Sequence, residues 1–338
     1  MKILVTGGAG YVGSVLIPHL INDGHSVKCL DRFFFGTEYL AGNQFEGKVE
    51  LIRDDIRWFD EKILDGIDLV IDMAALSNDP VGDLDPKKTY EINHLGRVRV
   101  ATLSKKLGVK QYILASSASV YGQQQDIIDE NSVVNPITDY SKANRNAEIG
   151  VLPLNDNKFT VTVLRFSSIY GISPRMRFDL AVNSMALELY KTGKISVRGK
   201  SNKRPFLHIL DAARAYLLVI KSPIEKITGQ IFNVGSDDQN YEIGILAKEV
   251  GDSIGRKYEI EAKDTHDHRS YVASFKKIKE ELGFTAKYNV GDGSREIYNE
   301  LENGKLADLT KTITVEWYKH LLTSQKLMKE LSLNDTIL

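Results

Sequence analysis

The chain has 338 residues, with 44 Lys and Arg against 45 Asp and Glu and a formal net charge of -1. That length is ample for a full hydrophobic core, and the even charge without like-sign blocks excludes the basic surface that nucleic-acid binding requires. A single cysteine, Cys29, excludes an intrachain disulfide, and the lack of a long apolar run or a signal-peptide pattern predicts a soluble, cytoplasmic protein without a membrane partner.

Taken in chain order, β-branched apolar runs at 2–6, 26–30, 49–52, 69–73, 111–116 and 160–165 predict short buried strands. Helical spacing at 12–22, 86–107 and about 139–152 fills the gaps, with Pro18 expected to bend the first helix. Strands alternating with helices predict an α/β fold with a doubly wound parallel sheet. After Gly171 the pattern predicts a helix at 178–192, a strand at 194–198, a return to the first domain over 204–220 and a core strand at 230–234. Small helices and hairpin-like segments are expected from Tyr241 onward. The implied organisation is a dinucleotide-binding domain over 1–170 that regains 204–235. A smaller C-terminal substrate-binding lobe is expected from 171–203 and 236–325, with a loosely held tail at 326–338.

The strongest motif is Thr6-Gly7-Gly8-Ala9-Gly10-Tyr11-Val12-Gly13 between the first strand and its helix. Gly7, Gly10 and Gly13 permit a tight turn, close approach of backbone to a pyrophosphate and packing of helix on strand, while the helix N-terminus faces the negative charge. This is the Rossmann pattern. Asp31, ending the second strand, is placed to accept bonds from ribose hydroxyls and to repel a 2′-phosphate, so NAD is expected over NADP, with Arg32 the one opposing feature.

From these residues the chain resembles the extended short-chain dehydrogenase/reductase family, the NAD-dependent nucleotide-sugar epimerases and dehydratases. The resemblance implies that Tyr11 and Val12 join the cofactor loop, that Asp55 with Ile56 holds the adenine, and that Ala74, Ala75, Asn93 and Ser116 line the cofactor. Asp72 stands where many relatives have His.

Ser117, in Ser116-Ser117-Ala118-Ser119, matches the family's catalytic serine, and Tyr140 matches the tyrosine of its Tyr-x-x-x-Lys pair. That pair shares a helix face, so the ammonium steadies the phenolate and holds the nicotinamide ribose. Here the fourth position is Asn144. Lys142 lies roughly 200° around the helix from Tyr140 and is expected to point away. An amide can bond a ribose hydroxyl but brings no charge, so three explanations stand: another cation reaches the site, the enzyme works slowly or at higher pH, or redox chemistry has been lost.

The 4,6-dehydratase relatives carry Asp-Glu where this chain has Ala118-Ser119, which leaves 4-epimerisation through a transient 4-keto sugar as the implied reaction. The alternatives are 4-keto-sugar-nucleotide reduction and a catalytically inert NAD-binding sensor or scaffold. For a nucleotide-diphosphate sugar, the resemblance implies contacts from Ser77, Ser117, Ser119, Ser168, Phe178 and Asn183, with Arg204 and Arg269 on the diphosphate. It also implies a homodimer through the helices at 86–107 and 139–152. Asp264, His266 and His268 lack a second ligand cluster and read as solvated loop residues, so no metal site is expected.

Overall fold

In the computed structural model, which describes residues 1–42, 45–263, 269–306, 308–333 and 336, seven parallel strands form the central sheet: β1 (Lys2–Thr6), β2 (Ser26–Asp31), β3 (Val49–Arg53), β4 (Leu69–Asp72), β5 (Gln111–Ser117), β6 (Thr160–Phe166) and β7 (Ile231–Val234). Their order is β7-β6-β5-β4-β1-β2-β3, a Rossmann sheet extended by one strand. Strand alternation sends β1 side chains to two separate layers. Ile3 and Val5 pack with Leu16 and Leu20 of α1 (Gly13–Asn22), whereas Leu4 faces Val100 of α2 (Arg97–Lys106) and Ala147 of α3 (Asp139–Val151). All seven of these side chains are fully buried, each Leu, Ile or Val among them stabilising the fold by roughly 1.5–3 kcal/mol.

Pro18 does not interrupt α1, which runs unbroken across it. The buried face of Leu16, Ile17, Leu20 and Ile21 holds the helix where one missing N–H would weaken it. The expected single helix over 86–107 is instead three pieces, Pro86–Tyr90, a π-helical turn at Glu91–Gly96, and α2. Such wide turns are rare and often mark functional positions.

A second layer of structure closes over the carboxyl ends of the sheet. Strand Lys203–His208 lies between Ser168–Tyr170, parallel, and Asn240–Glu242, antiparallel. Its core is built from Val182, Met185 and Leu189 of α4 (Ala181–Thr192) with Phe206, Leu246 and Val290. Beyond Tyr241 the strands do not form hairpins: Glu259–Lys263 pairs in parallel with Lys194–Arg198, and Ser270–Ala273 in parallel with Gln123–Ile128. The cause is long return connections, since parallel neighbours cannot be joined by a tight turn. Helix α5 (Ile209–Lys221) packs back on the central sheet beside α1. The last helix, α6 (Thr314–Leu331), runs past the start of the expected tail. Its Tyr318 meets Phe34 and Phe35 edge-on, and Trp317 Nε1 donates to the Phe34 carbonyl at 2.8 Å, so it lies across the segment following β2. No helix among the described residues is long and apolar enough to cross a membrane.

Candidate active site

Gly7 and Gly13 of the turn from β1 into α1 leave no room for a side chain. Gly7 has φ +67° and a Cβ there would lie 2.8 Å from the backbone of Ala74; at Gly13 it would lie 2.5 Å from the Gly8 carbonyl. Asp31 Oδ2 accepts from the Ala9 N–H at 3.0 Å and Oδ1 from the Phe33 N–H at 2.8 Å, which leaves lone pairs on both oxygens for hydroxyls. Burial raises its pKa, against those backbone bonds and the charge of Arg175. Arg32 is drawn away toward Asp55, 3.0 Å distant, so the charge that would suit a 2′-phosphate is already paired. Glycine loop, helix N-terminus and carboxylate together fit the pyrophosphate and ribose of NAD.

Asp55 itself is fully engaged. Its oxygens accept from Arg57 Nε and Nη2 at 2.9 Å, from the Arg57 N–H and from Arg32. Against burial, the bonds from Arg57 and Arg32 hold its carboxyl below the usual range. Ile56 beside it is buried and fills the space over Gly96.

After β4, Thr6 Oγ1 accepts from the Met73 and Ala74 N–H groups at 3.1 Å, fixing the turn that carries Ala74 and Ala75. The π-helical turn aims Asn93 at the same segment: Oδ1 accepts from the Leu76 N–H at 2.8 Å and Nδ2 donates to its carbonyl at 3.0 Å. Ser77, at the tip, meets Arg177 Nη1 through its carbonyl and its hydroxyl.

The serine segment ends β5. Ser116 donates to Glu148, a wholly buried carboxylate clasped by Arg165 and touched by Arg145. Ser117 Oγ accepts from the Ser119 N–H at 3.2 Å, so its own proton is free to be donated elsewhere. Ala118 and Ser119 are buried, and Ser119 Oγ has no partner among the described residues.

Helix α3 begins with Thr138 as its cap, accepting from the Ser141 N–H, and so places Tyr140 in the first turn, half-buried beside Gly82. Tyr140 lies within electrostatic range of Arg177, Tyr216 and Tyr271. Lys142 is exposed. Asn144 is buried, donating through Nδ2 to the Tyr140 carbonyl at 3.0 Å and accepting at Oδ1 from Arg97 Nη1 at 2.7 Å.

From the strand Lys203–His208, Arg204 Nη2 donates to the Arg269 carbonyl at 3.3 Å, and Arg269 pairs with Asp79, so the two arginines converge. Ser168 is half-buried on the strand beside them. Phe178 is buried, and both N–H bonds of Asn183 are engaged within the protein, one by Tyr11 Oη and one by the Arg177 carbonyl. Asn183 and Tyr11, whose hydroxyl donates to the Gly171 carbonyl, therefore brace the cofactor loop against the second lobe. Cys29 is buried, which pushes its thiol pKa up. Among the described residues no group of His, Cys, Asp or Glu is placed to hold a metal ion. Asp264, His266 and His268 lie outside the described residues.

Sequence reasoning missed three buried cations. Arg177 forms a bidentate pair with Asp179, Arg175 stacks over Phe35 at 3.6 Å, and Arg97 meets Asn144. Only Arg97 left a signal, its spacing of one helical turn from Asn93, which puts both near one helix face.

Residues 3–235 match the profile of the NAD dependent epimerase/dehydratase family. A UDP-glucose 4-epimerase from Lactobacillus helveticus is 28% identical over 318 residues, which cover 86% of this chain and 94% of that protein. Among solved structures, a UDP-glucuronic acid 4-epimerase from Bacillus cereus, in complex with UDP-glucuronic acid and NAD, superposes with a TM-score of 0.80 at 23% identity, covering 90% of this chain and 99% of the other. A dTDP-glucose 4,6-dehydratase from Streptomyces venezuelae, with NAD bound, gives 0.79 at 22% identity over 90% and 98%. At such identities these two establish the fold alone.

Proposed function

The chain belongs to the NAD dependent epimerase/dehydratase family, and from that footing we propose that it is an NAD-dependent nucleotide-sugar 4-epimerase working through a transient 4-keto sugar. The observation that carries this reading is the pair Ala118 and Ser119 immediately after Ser117, buried and without an ionisable group. Elimination of water across a sugar needs its own acid and base, whereas epimerisation needs one proton relay.

NAD, when bound, supplies the hydride acceptor and donor for C4. Tyr140 Oη takes the proton of the sugar 4-hydroxyl and returns it once the ketone has turned its other face. Ser117 Oγ, whose lone pair is held by the Ser119 N–H, donates to the same oxygen as its charge develops. Arg204 and Arg269 hold the diphosphate, in competition with Asp79 for Arg269. Ser77 and Ser168 bound the sugar pocket. A homodimer through the helices at 86–107 and 139–152 accords with Tyr90, Leu95 and Ile149 being 43%, 49% and 54% exposed.

The deciding experiment incubates the protein with UDP-glucose, UDP-galactose and UDP-glucuronic acid, following C4 configuration by NMR and bound nicotinamide at 340 nm. Conversion of one epimer to the other without net NADH supports the reading. Net accumulation or consumption of NADH would assign a dehydrogenase or a 4-keto reductase instead. Asn144 favours a second reading, an NAD-binding protein without turnover, which tight NAD binding and no conversion on any sugar would support.

A further inference from the structure

Arg97 is 2% exposed, yet among the described residues no carboxylate oxygen lies within 4.0 Å of it. Of the comparably buried arginines, Arg165 and Arg177 are each clasped by a carboxylate, Glu148 and Asp179, and Arg175 is stacked on the Phe35 ring, whereas Arg97 has neither a carboxylate nor a ring among the described residues. A buried charge without an ion pair is costly and is retained where something uses it. Two protein acceptors meet the Arg97 guanidinium among the described residues, the Ala74 carbonyl at 3.0 Å and Asn144 Oδ1 at 2.7 Å. Ala74 belongs to the turn that closes on Gly7, and Asn144 stands one helical turn beyond Tyr140, so this cation lies between the cofactor turn and the tyrosine helix.

Asp72, wholly buried and bonded by Thr6 Oγ1 and by Tyr112 Oη at 2.6 Å, lies within electrostatic range of Arg97. Tyr112 Oη also reaches the Arg97 carbonyl at 3.3 Å, so Asp72, Tyr112 and Arg97 form one bonded assembly under the site. The residue types at 72, 97 and 144 therefore belong together: an amide at 144 presents its oxygen to a guanidinium where an ammonium would be repelled by it.

Resting on the reading under Proposed function, we propose that Arg97 supplies to this reaction site a positive charge not neutralised by a carboxylate, as a positioning residue that acts through Asn144 on the nicotinamide ribose and Tyr140. The amide dipole carries the charge forward: Arg97 polarises the Asn144 carbonyl while the Asn144 N–H steadies the Tyr140 end of α3.

The test measures Kd for NAD and for NADH on protein stripped of nucleotide. Oxidised nicotinamide carries a positive charge and the reduced ring none, so a nearby cation weakens NAD relative to NADH, whereas a purely structural residue affects both alike. Arg97→Gln is expected to lower the ratio Kd(NAD)/Kd(NADH) by about 10-fold, and Arg97→Lys to leave it near the wild-type value. Arg97→Gln/Asn144→Lys moves the charge to the other residue, so the ratio returns to within about threefold of wild type and kcat on UDP-galactose recovers relative to Arg97→Gln, with KM little changed. Should Arg97→Gln fail to fold, the double variant decides alone: a ratio about 10-fold above wild type means that the lysine added a charge to a site where Arg97 had none to contribute, and overturns the proposal. An unchanged ratio in Arg97→Gln overturns it too. Wild-type protein that converts no sugar while the ratio still follows the charge at 97 defeats the epimerase reading and leaves the electrostatic role standing.

Discussion

Glu148 receives Arg165 on both oxygens, Nε on one at 2.9 Å and Nη2 on the other at 2.7 Å, with the two side chains 0% and 2% exposed. The same carboxylate takes the Ser116 hydroxyl, and Arg165 reaches Tyr121 Oη at 2.8 Å. The pair thus joins β6, α3 and the serine segment from beneath.

Glu148→Gln leaves Arg165 buried and unpaired. A loss of about 3–5 kcal/mol is expected, because removing one partner strands the other charge. Urea denaturation monitored by circular dichroism measures it; a loss below about 1 kcal/mol would mean that the pair is replaceable by water.

Asp55 sets a pH dependence whose sign follows from its lowered pKa. Its stabilising contribution is fully present above the ordinary value of 3.8 and is lost as pH falls through the lower folded value. Arg32 is 43% exposed and its pair is screened, but Arg57, the main partner, is 18% exposed and Asp55 only 7%, so Asp55→Asn is expected to cost about 1.5–3 kcal/mol near neutrality. The difference between wild type and variant should shrink below pH 3.8. A gap that persists undiminished in acid would show that packing, not charge, is responsible.

Tyr140→Phe and Ser117→Ala test the proposed proton relay. Each is expected to lower kcat by about 10²- to 10⁴-fold while NAD affinity stays within a few-fold of wild type. Turnover retained in Tyr140→Phe would move the proton transfer to another group.

Gly13→Ala places a methyl 2.5 Å from the Gly8 carbonyl, an atom of the backbone that cannot turn aside. The loop must open, so NAD affinity should fall at least 10-fold, or by about 1.4 kcal/mol. Isothermal titration with NAD gives the answer directly, and binding at wild-type strength would show that the loop does not need this contact.

Leu95→Glu combined with Ile149→Glu places charge on the helices proposed to form the dimer. A mass of one chain for the variant and two for the wild type by light scattering is expected. Equal masses would remove that interface.

The Rossmann half was legible because its signals are local. Alternation along β1, the glycine turn and Asp31 each act over a few residues, and the parallel sheet follows from strands that alternate with helices. The Tyr140 helix, expected at about 139–152 and found at Asp139–Val151, was equally clear, including the amide at 144. Harder to read were the parallel returns after Tyr241, since a strand's sequence does not reveal whether its partner is adjacent in the chain or far away.

What the sequence by itself determined is the strands of the central sheet, the cofactor loop and the absence of a lysine at 144. What only the tertiary structure decided is how charges far apart in the chain meet: Arg97 with Asn144, Arg269 with Asp79, Arg177 with Asp179 beside Ser77, and Arg32 with Asp55. Periodicity arises from neighbours within one turn or pleat, whereas the partner of a buried guanidinium is set by which crossover packs against which, and by the cost of leaving that charge without an acceptor.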